Sequence, residues 1–345
     1  MNAIDPNLQG SNDVIDMTHG GGGRAMADLI RDVFQRHFSN PHLARGNDGA
    51  VVELPPGRVV VSTDGHVISP LFFPGGDIGC LAVHGTVNDV AMMGARPLYL
   101  TVGVILEEGF ARADLERIVK SMAEAARDAG VEIVTGDTKV VEQGKGDGIF
   151  ITTTGVGVIP EGINVAGDQA RPGHAIIVSG SIGDHGLAIL SRRENLEFET
   201  EIRSDTAALN GLVGAMLAAV PGIKVLRDPT RGGLGATLNE IALQSKVGMM
   251  LDEQAIPIKR DVAAGCELLG LDPLYVANEG KLIAICEADA AERLLEVMRG
   301  HELARDAAII GTVVEDRHAM VQMRTRLGGA RVVDYLAGEQ LPRIC

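Results

Sequence analysis

Five carboxylates in this chain sit among glycine and threonine: Asp48 in NDGAVV, Asp64 in STDGH, Asp89 in GTVNDVAMMG, Asp137 in TGDTK and Asp228 in DPTRGGL. An aspartate beside glycine commonly caps a helix or tightens a turn. Several brought together at strand ends would repel one another unless a cation stood between them. Hard oxygen ligands, with small neighbours that leave room for phosphate, suit Mg and a nucleotide. Lys139, two residues past Asp137, shares its side of a strand and can bring a positive charge to the same phosphates. Asn88, Thr138, Thr230 and Gly232 belong to these motifs and are candidate nucleotide contacts.

Two further features carry chemistry. Gly20, Gly21, Gly22 and Gly23 precede a helical pattern, so their backbone N–H groups can line an anion. No Lys-Ser or Lys-Thr follows at the spacing of a Walker A loop, and a plain hinge fits the run equally well. The other feature is the end of the sequence, Pro342-Arg343-Ile344-Cys345. Chain ends move unless tied down, and a thiolate attacks carbonyls and carries covalent groups. Cys345 is therefore expected to act as a reactive thiol on a mobile arm; an arbitrary last residue is the reading the tail alone leaves open.

The elements that must hold these groups are legible from periodicity. A helix is expected from Arg24 to about Phe38, strands at Val51-Val52 and Val59–Ser62, and a helix over Gly79–Gly94 burying Leu81, Val87, Val90 and Met93. A strand at Tyr99–Leu106, a helix at Arg112–Ala129 and strands at Val131–Thr135 and Ile149–Ile159 complete a first α/β region. After a Gly/Pro-punctuated connection over 164–173, a second begins at Ala175–Ser179. It continues through helices near Asp184–Arg193, Thr206–Val220 and Gly232–Ser245, a strand at Leu282–Cys286 and a helix at Ala288–Arg299. The expected organisation is a flexible segment over 1–45, domains over 46–163 and 164–335, and a mobile tail over 336–345. Within it Arg331–Tyr335 is ordered, while Leu341–Cys345 switches between inner and outer positions.

Composition narrows the partners. A formal net charge of -15 and 3% aromatic residues argue against a phosphodiester backbone or stacked bases as ligands. The four cysteines, Cys80, Cys266, Cys286 and Cys345, lack CxxC spacing and imply a reducing compartment. With neither a long apolar run nor a basic, apolar leader, the expectation is a cytoplasmic protein.

THGGGG (18–23), STDGHV (62–67), PGGDIGCLAVHGTVNDVAMMGARP (74–97), TGDTKVV (135–141), DPTRGGL (228–234), ANEGK (277–281) and the final PRIC together resemble the HypE family of hydrogenase maturation factors. The resemblance spans nearly the whole chain. Single motifs recur in the wider PurM-like superfamily of aminoimidazole ribonucleotide synthetase, selenophosphate synthetase, thiamine-monophosphate kinase and formylglycinamidine synthase; the terminal PRIC separates HypE from these. The resemblance implies a two-domain α/β fold, with an N-terminal ATP-binding domain that forms a dimer barrel with its twin and a C-terminal domain covering the cleft. It implies ATP and Mg as cofactors and an ATP-dependent carbamoyl dehydratase. The carbamoyltransferase HypF would load Cys345, ATP would drive dehydration to a thiocyanate, and cyanide would pass to iron on a HypC-HypD complex.

That chemistry requires charge neutralisation along the triphosphate, which the aspartates and Lys139 can contribute to, and a base for the carbamoyl protons. Glu279, an isolated carboxylate just before a strand, is the candidate base; His19 and His84 are the alternatives. A phosphotransferase of the same superfamily acting on a small molecule, and a non-catalytic thiol carrier, are the competing functions.

Overall fold

The computed structural model describes residues 14–196, 201–335 and 343–345. The chain enters through α1 (Arg24–Leu29), which runs on as a π-helical turn over Ile30–Gln35. A four-stranded sheet follows, built from β1 (Arg58–His66), β4 (Arg96–Glu107), β5 (Glu132–Val141) and β6 (Ile149–Ile159) in the order β1-β6-β4-β5. Between β1 and β4 lie a short hairpin, β2 (Phe72–Phe73) and β3 (Gly76–Asp77), and helix α2 (Ile78–Met92). Helix α3 (Arg112–Ala129) crosses from β4 to β5. Strand β6 is antiparallel to both β1 and β4, whereas β4 and β5 are parallel, as a helical crossover requires.

The helices cover one face of this sheet. On α3, Leu115, Ile118, Val119, Met122, Ala125 and Ala126 recur at helical spacing and are all buried. The helix stops at Gly130, whose φ of 69° is the left-handed C-terminal turn that glycine adopts without strain. Asp77 caps α2, accepting from the amides of Gly79 at 2.7 Å and Cys80 at 3.1 Å. Alternation along β1 turns Ser62, Asp64 and His66 toward α2 and leaves Val59, Val61 and Thr63 on the opposite, uncovered face.

The second region comprises β7 (Ala175–Val178), α4 (Asp184–Arg193), α5 (Asn210–Ala219), β8 (Val225–Arg227), α6 (Gly233–Ser245), β9 (Gly248–Asp252), α7 (Arg260–Leu269), β10 (Ile283–Cys286), α8 (Ala291–Arg299), β11 (Ala308–Val314), β12 (Val321–Arg324) and β13 (Ala330–Val332). Its seven strands form one sheet in the order β13-β12-β9-β11-β7-β10-β8. Among the described residues, no helix is long and apolar enough to cross a membrane.

Three expectations require correction. Val51-Val52 is no strand: nothing pairs with it and Val51 is 78% exposed. Met93 is not buried by its helix, which ends at Met92 and leaves Met93 43% exposed. The described part of the N-terminal segment is not loose, because Ile15, Leu29 and Val33 are buried in the core of the first sheet. Of the expected mobile tail, 336–342 lie outside the described residues and Arg343–Cys345 are seated on the protein.

Candidate active site

Four carboxylates from the two regions lie near enough to act on one another by charge. Asp64 comes from β1, Asp89 from α2, Asp228 from the turn after β8 and Glu279 from the loop before β10. The Ser62 hydroxyl donates to Asp89 Oδ2 at 2.8 Å. Beside them opens a cleft of about 680 Å³ lined by Ser62, Asp89, Asp228, Thr230, Arg227 and Arg231. Burial, then the charge of Asp89, pushes the Asp228 carboxyl up to about 7. Burial likewise raises Asp89. Glu279 is raised well above the usual carboxylate range, first by burial and then by Asp228, Asp205, Asp64 and Asp89. Its Oε1 is buried and has no hydrogen-bond partner among the described residues. Such a group either keeps its proton or awaits positive charge.

The loop bearing Glu279 is fixed from below. Asp205 accepts from the amides of Glu279 at 3.1 Å and Gly280 at 3.3 Å, and pairs with Lys281 at 3.2 Å. Burial pushes the Asp205 carboxyl up, but Lys281, His185 and the Glu279 amide together outweigh it and the net displacement is downward. Asn88 ties the two regions together. It donates to the carbonyls of Ala207 at 3.0 Å and Glu279 at 3.4 Å, and accepts from the Leu209 amide at 2.7 Å. Its amide is thereby occupied as an interdomain clamp, not presented to a nucleotide. Thr230 does line the cleft, and its carbonyl accepts from the Gly233 amide at 2.9 Å. Gly232 precedes α6 with φ 77°, so the turn from Asp228 into the helix depends on its lack of a side chain.

The remaining candidates form a separate group on β5. Asp137 and Lys139 pair at 2.6 Å, both about two-thirds exposed. Lys139 holds the Asp137 carboxyl below its ordinary value. They lie in register with Gly103 and Ile105, on the uncovered face of the sheet, whereas Thr138 is buried on the other side. Gly20 packs against Val140, where a Cβ would approach the Val140 side chain to 3.0 Å, so the glycine run lies over this edge. Gly23 faces open space, as does Gly22 with its φ of 74°, while a Cβ on Gly21 would stand 3.6 Å from the Thr18 carbonyl oxygen. Strands β1 and β5 are opposite edges of the sheet, three strand spacings or roughly 14 Å apart. Asp64 and Asp137 also point to opposite faces, so within one chain they cannot share an ion. Asp48 is exposed in the loop before β1 and has no hydrogen bond or ion pair among the described residues. No three His, Cys, Asp or Glu side chains among the described residues stand close enough to hold a metal by themselves.

The chain end is seated against β1. Ile344 forms an antiparallel bridge with Ile68 and is 3% exposed. The Val67 amide donates to the Cys345 carbonyl at 3.0 Å, and the Ser69 amide to the Arg343 carbonyl at 3.3 Å. Arg193 donates to the Arg343 carbonyl at 2.8 Å, and His185 Nε2 lies 2.7 Å from the Ile344 carbonyl. The thiol residue is thus held beyond the end of β1 that carries Asp64 and His66. Of the alternative bases, His84 is lowered to about 4 by burial, and His19 is engaged with Asp16 at 2.9 Å. Asp205, Lys281 and His185 escaped the sequence reading. Their importance comes from contacts between distant segments that no local motif marks.

Known proteins agree with this layout. Residues 46–159 match the N-terminal domain, and 171–324 the C-terminal domain, of AIR synthase related proteins. The carbamoyl dehydratase HypE of Azotobacter vinelandii is 70% identical over 97% of this chain and 98% of its own length. The chain belongs to the HypE carbamoyl dehydratase family of hydrogenase maturation proteins. The HypE of Cupriavidus necator is 68% identical over 96% of this chain and 95% of its own. A crystal structure of a HypE in complex with ATP superposes with a TM-score of 0.93 at 54% identity, covering 96% of this chain and 99% of the other. A HypE–HypF complex contains a chain that matches at a TM-score of 0.79 and 50% identity, covering 89% and 99%. A thiamine-monophosphate kinase from Stenotrophomonas maltophilia, at 20% identity and a TM-score of 0.64 over 88% and 97%, shares the fold. The two-domain α/β architecture is therefore that of HypE.

Proposed function

We propose that this chain binds ATP in the carboxylate cleft and uses it to dehydrate an S-carbamoyl group on Cys345 to a thiocyanate. The observation that carries this reading is the seated end of the chain: Cys345 is anchored at Val67, at the end of the strand that supplies Asp64, while the buried Glu279 faces the same carboxylates.

The carbamoyl oxygen attacks the γ-phosphate, ADP leaves, and the oxygen becomes a phosphate leaving group. One N–H proton leaves as the imidate phosphate forms, and loss of phosphate with the second N–H proton leaves S–C≡N. Glu279 takes a proton from nitrogen. Its unpartnered Oε1 offers a desolvated lone pair, and positive charge brought in with the nucleotide lowers its proton affinity to a useful range. The hard-oxygen set of Asp64, Asp89 and Asp228 fits Mg, which takes one or two carboxylates together with phosphate oxygens and needs no all-protein cage. Bound there, Mg would neutralise charge on the triphosphate.

Lys139, Asp137, Thr138 and Gly20–Gly23 enter this scheme through a homodimer. The sheet leaves Val59, Val61 and Ile105 exposed on its uncovered face, with an edge strand open on each side. Barrel closure with a second copy would cover that face and bring the β5 edge of one subunit to the β1 edge of its twin. HypF then loads Cys345 and a HypC-HypD complex receives the cyanide. Both steps require the tail to leave its seat, so Arg343–Cys345 alternates between this position and an outer one. The compartment is the cytoplasm.

Intact mass after incubation with the carbamoyltransferase, carbamoyl phosphate and Mg-ATP tests the reading. The expected result is a carbamoyl adduct that loses water, with both changes absent in Cys345→Ala. An ATP-bound protein that never acquires the adduct beside an active transferase would overturn it.

A further inference from the structure

His185 lies outside the carboxylate cluster, at the start of α4, and is fully buried. Its ring packs edge-on against Phe73, with centroids 5.7 Å apart. Nε2 lies 2.7 Å from the Ile344 carbonyl and Nδ1 lies 2.7 Å from Ser204 Oγ. Burial disfavours the charged ring and a carbonyl only accepts, so Nε2 carries the single proton and Nδ1 is the acceptor. The Ser204 hydroxyl must then donate to Nδ1, and its lone pair accepts from the Thr206 amide at 3.1 Å. Every proton in this chain of bonds is assigned, and all run toward the tail. Between Ser204 and Thr206 stands Asp205, the residue that grips the amides of Glu279 and Gly280.

We infer that His185 is a positioning residue for the dehydration: it binds the tail through Ile344 and, through the 204–206 segment, couples tail seating to the placement of Glu279. Departure of the tail leaves a buried Nε2–H with no acceptor, which favours the seated state. Seating in turn fixes the hydroxyl of Ser204, next to the carboxylate that orients the Glu279 loop. This deepens the proposed dehydration and rests on it for its catalytic consequence, while the hold on the tail stands apart from the chemistry.

Two variants of similar polarity separate the roles of the ring nitrogens. A glutamine amide reaches the Nε2 position and an asparagine amide only the Nδ1 position. With S-carbamoylated protein and Mg-ATP, His185→Asn should lose water about tenfold more slowly, the fold-change of one neutral hydrogen bond. Trypsin should cut it faster after Arg343, and its loading with carbamoyl should be no slower than the parent's. His185→Gln should keep both rates within about threefold of the parent, since its donor is retained. An asparagine variant matching the parent, or a glutamine variant falling as far as the asparagine one, would overturn the inference. A parent protein that takes carbamoyl but loses no water would sink the functional reading, and the trypsin comparison would still decide the hold on the tail. Should neither variant fold, NMR of the parent decides: a slowly exchanging imidazole Nε2 proton present in the full chain and lost when the chain ends at Pro342 supports the assignment. A signal that persists contradicts it.

Discussion

The two groups of carboxylates in this molecule differ in what neutralises them. At the β5 edge, Asp137 already has its cation: Lys139 is on the same strand, both side chains are in water, and the carboxyl is lowered. In the cleft, Asp89, Asp228 and Glu279 are desolvated beside one another and are all raised. The first is a finished surface ion pair worth little to stability. In the second, burial favours the protonated carboxyls, and positive charge arriving there would draw them toward ionisation.

The largest break in this comparison should come from Glu279→Gln, which keeps shape and removes the base. Dehydration of the loaded thiol should fall about a thousandfold while nucleotide binding persists, read by single-turnover mass spectrometry and calorimetry. A fall of less than tenfold would move the base elsewhere. Next in size is Asp228→Asn. Loss of a buried charge-neutralising oxygen should weaken Mg-ATP binding by one to two orders of magnitude.

Asp228 also gives a pH test without ligand. A carboxyl raised to about 7 in the folded state contributes stability that is intact below its ordinary range near 4 and is lost as pH rises through about 7. The parent protein should therefore melt progressively lower between about pH 4 and about pH 7 and level off above that, and Asp228→Asn should flatten the decline. A parent whose melting temperature rises over this interval would contradict the account of the cleft.

Smaller effects belong to the edge. Lys139→Ala should change stability by no more than about 0.5 kcal/mol, as expected of an exposed pair, so any loss of turnover would report its part in chemistry and not folding. Equal losses of both would make the pair structural. Asp48→Asn should leave nucleotide affinity within about twofold, because nothing among the described residues engages that side chain. A larger loss would return Asp48 to the metal set.

Local pattern explains what the sequence revealed. The helix Arg112–Ala129 and the strand Ile149–Ile159 lie at the boundaries their periodicity marks, because each buries one regular stripe. Strands β9, β11 and β12 went unread: they are four to seven residues long, and apart from the β12–β13 hairpin their partners are distant in sequence. Val51-Val52 has β-branched residues but no partner strand. At the site, the aspartate motifs were legible one by one, whereas their division between two edges was not, since it depends on strand order. Asn88 looked like a ligand because it adjoins Asp89, yet on a helix adjacent residues point different ways and it faces the second domain. His185 and Asp205 became visible only when the last residues of the chain were seen against Ile68.

The most direct test of a shared site for thiol and nucleotide follows the carbamoyl oxygen. Protein carrying heavy oxygen in the S-carbamoyl group of Cys345 would be given unlabelled Mg-ATP in a single turnover, and the released phosphate and the protein weighed. Phosphate carrying the heavy oxygen, one for each thiocyanate formed, is the result the account predicts. Thiocyanate formed alongside unlabelled phosphate, with the heavy oxygen lost to water, would contradict it.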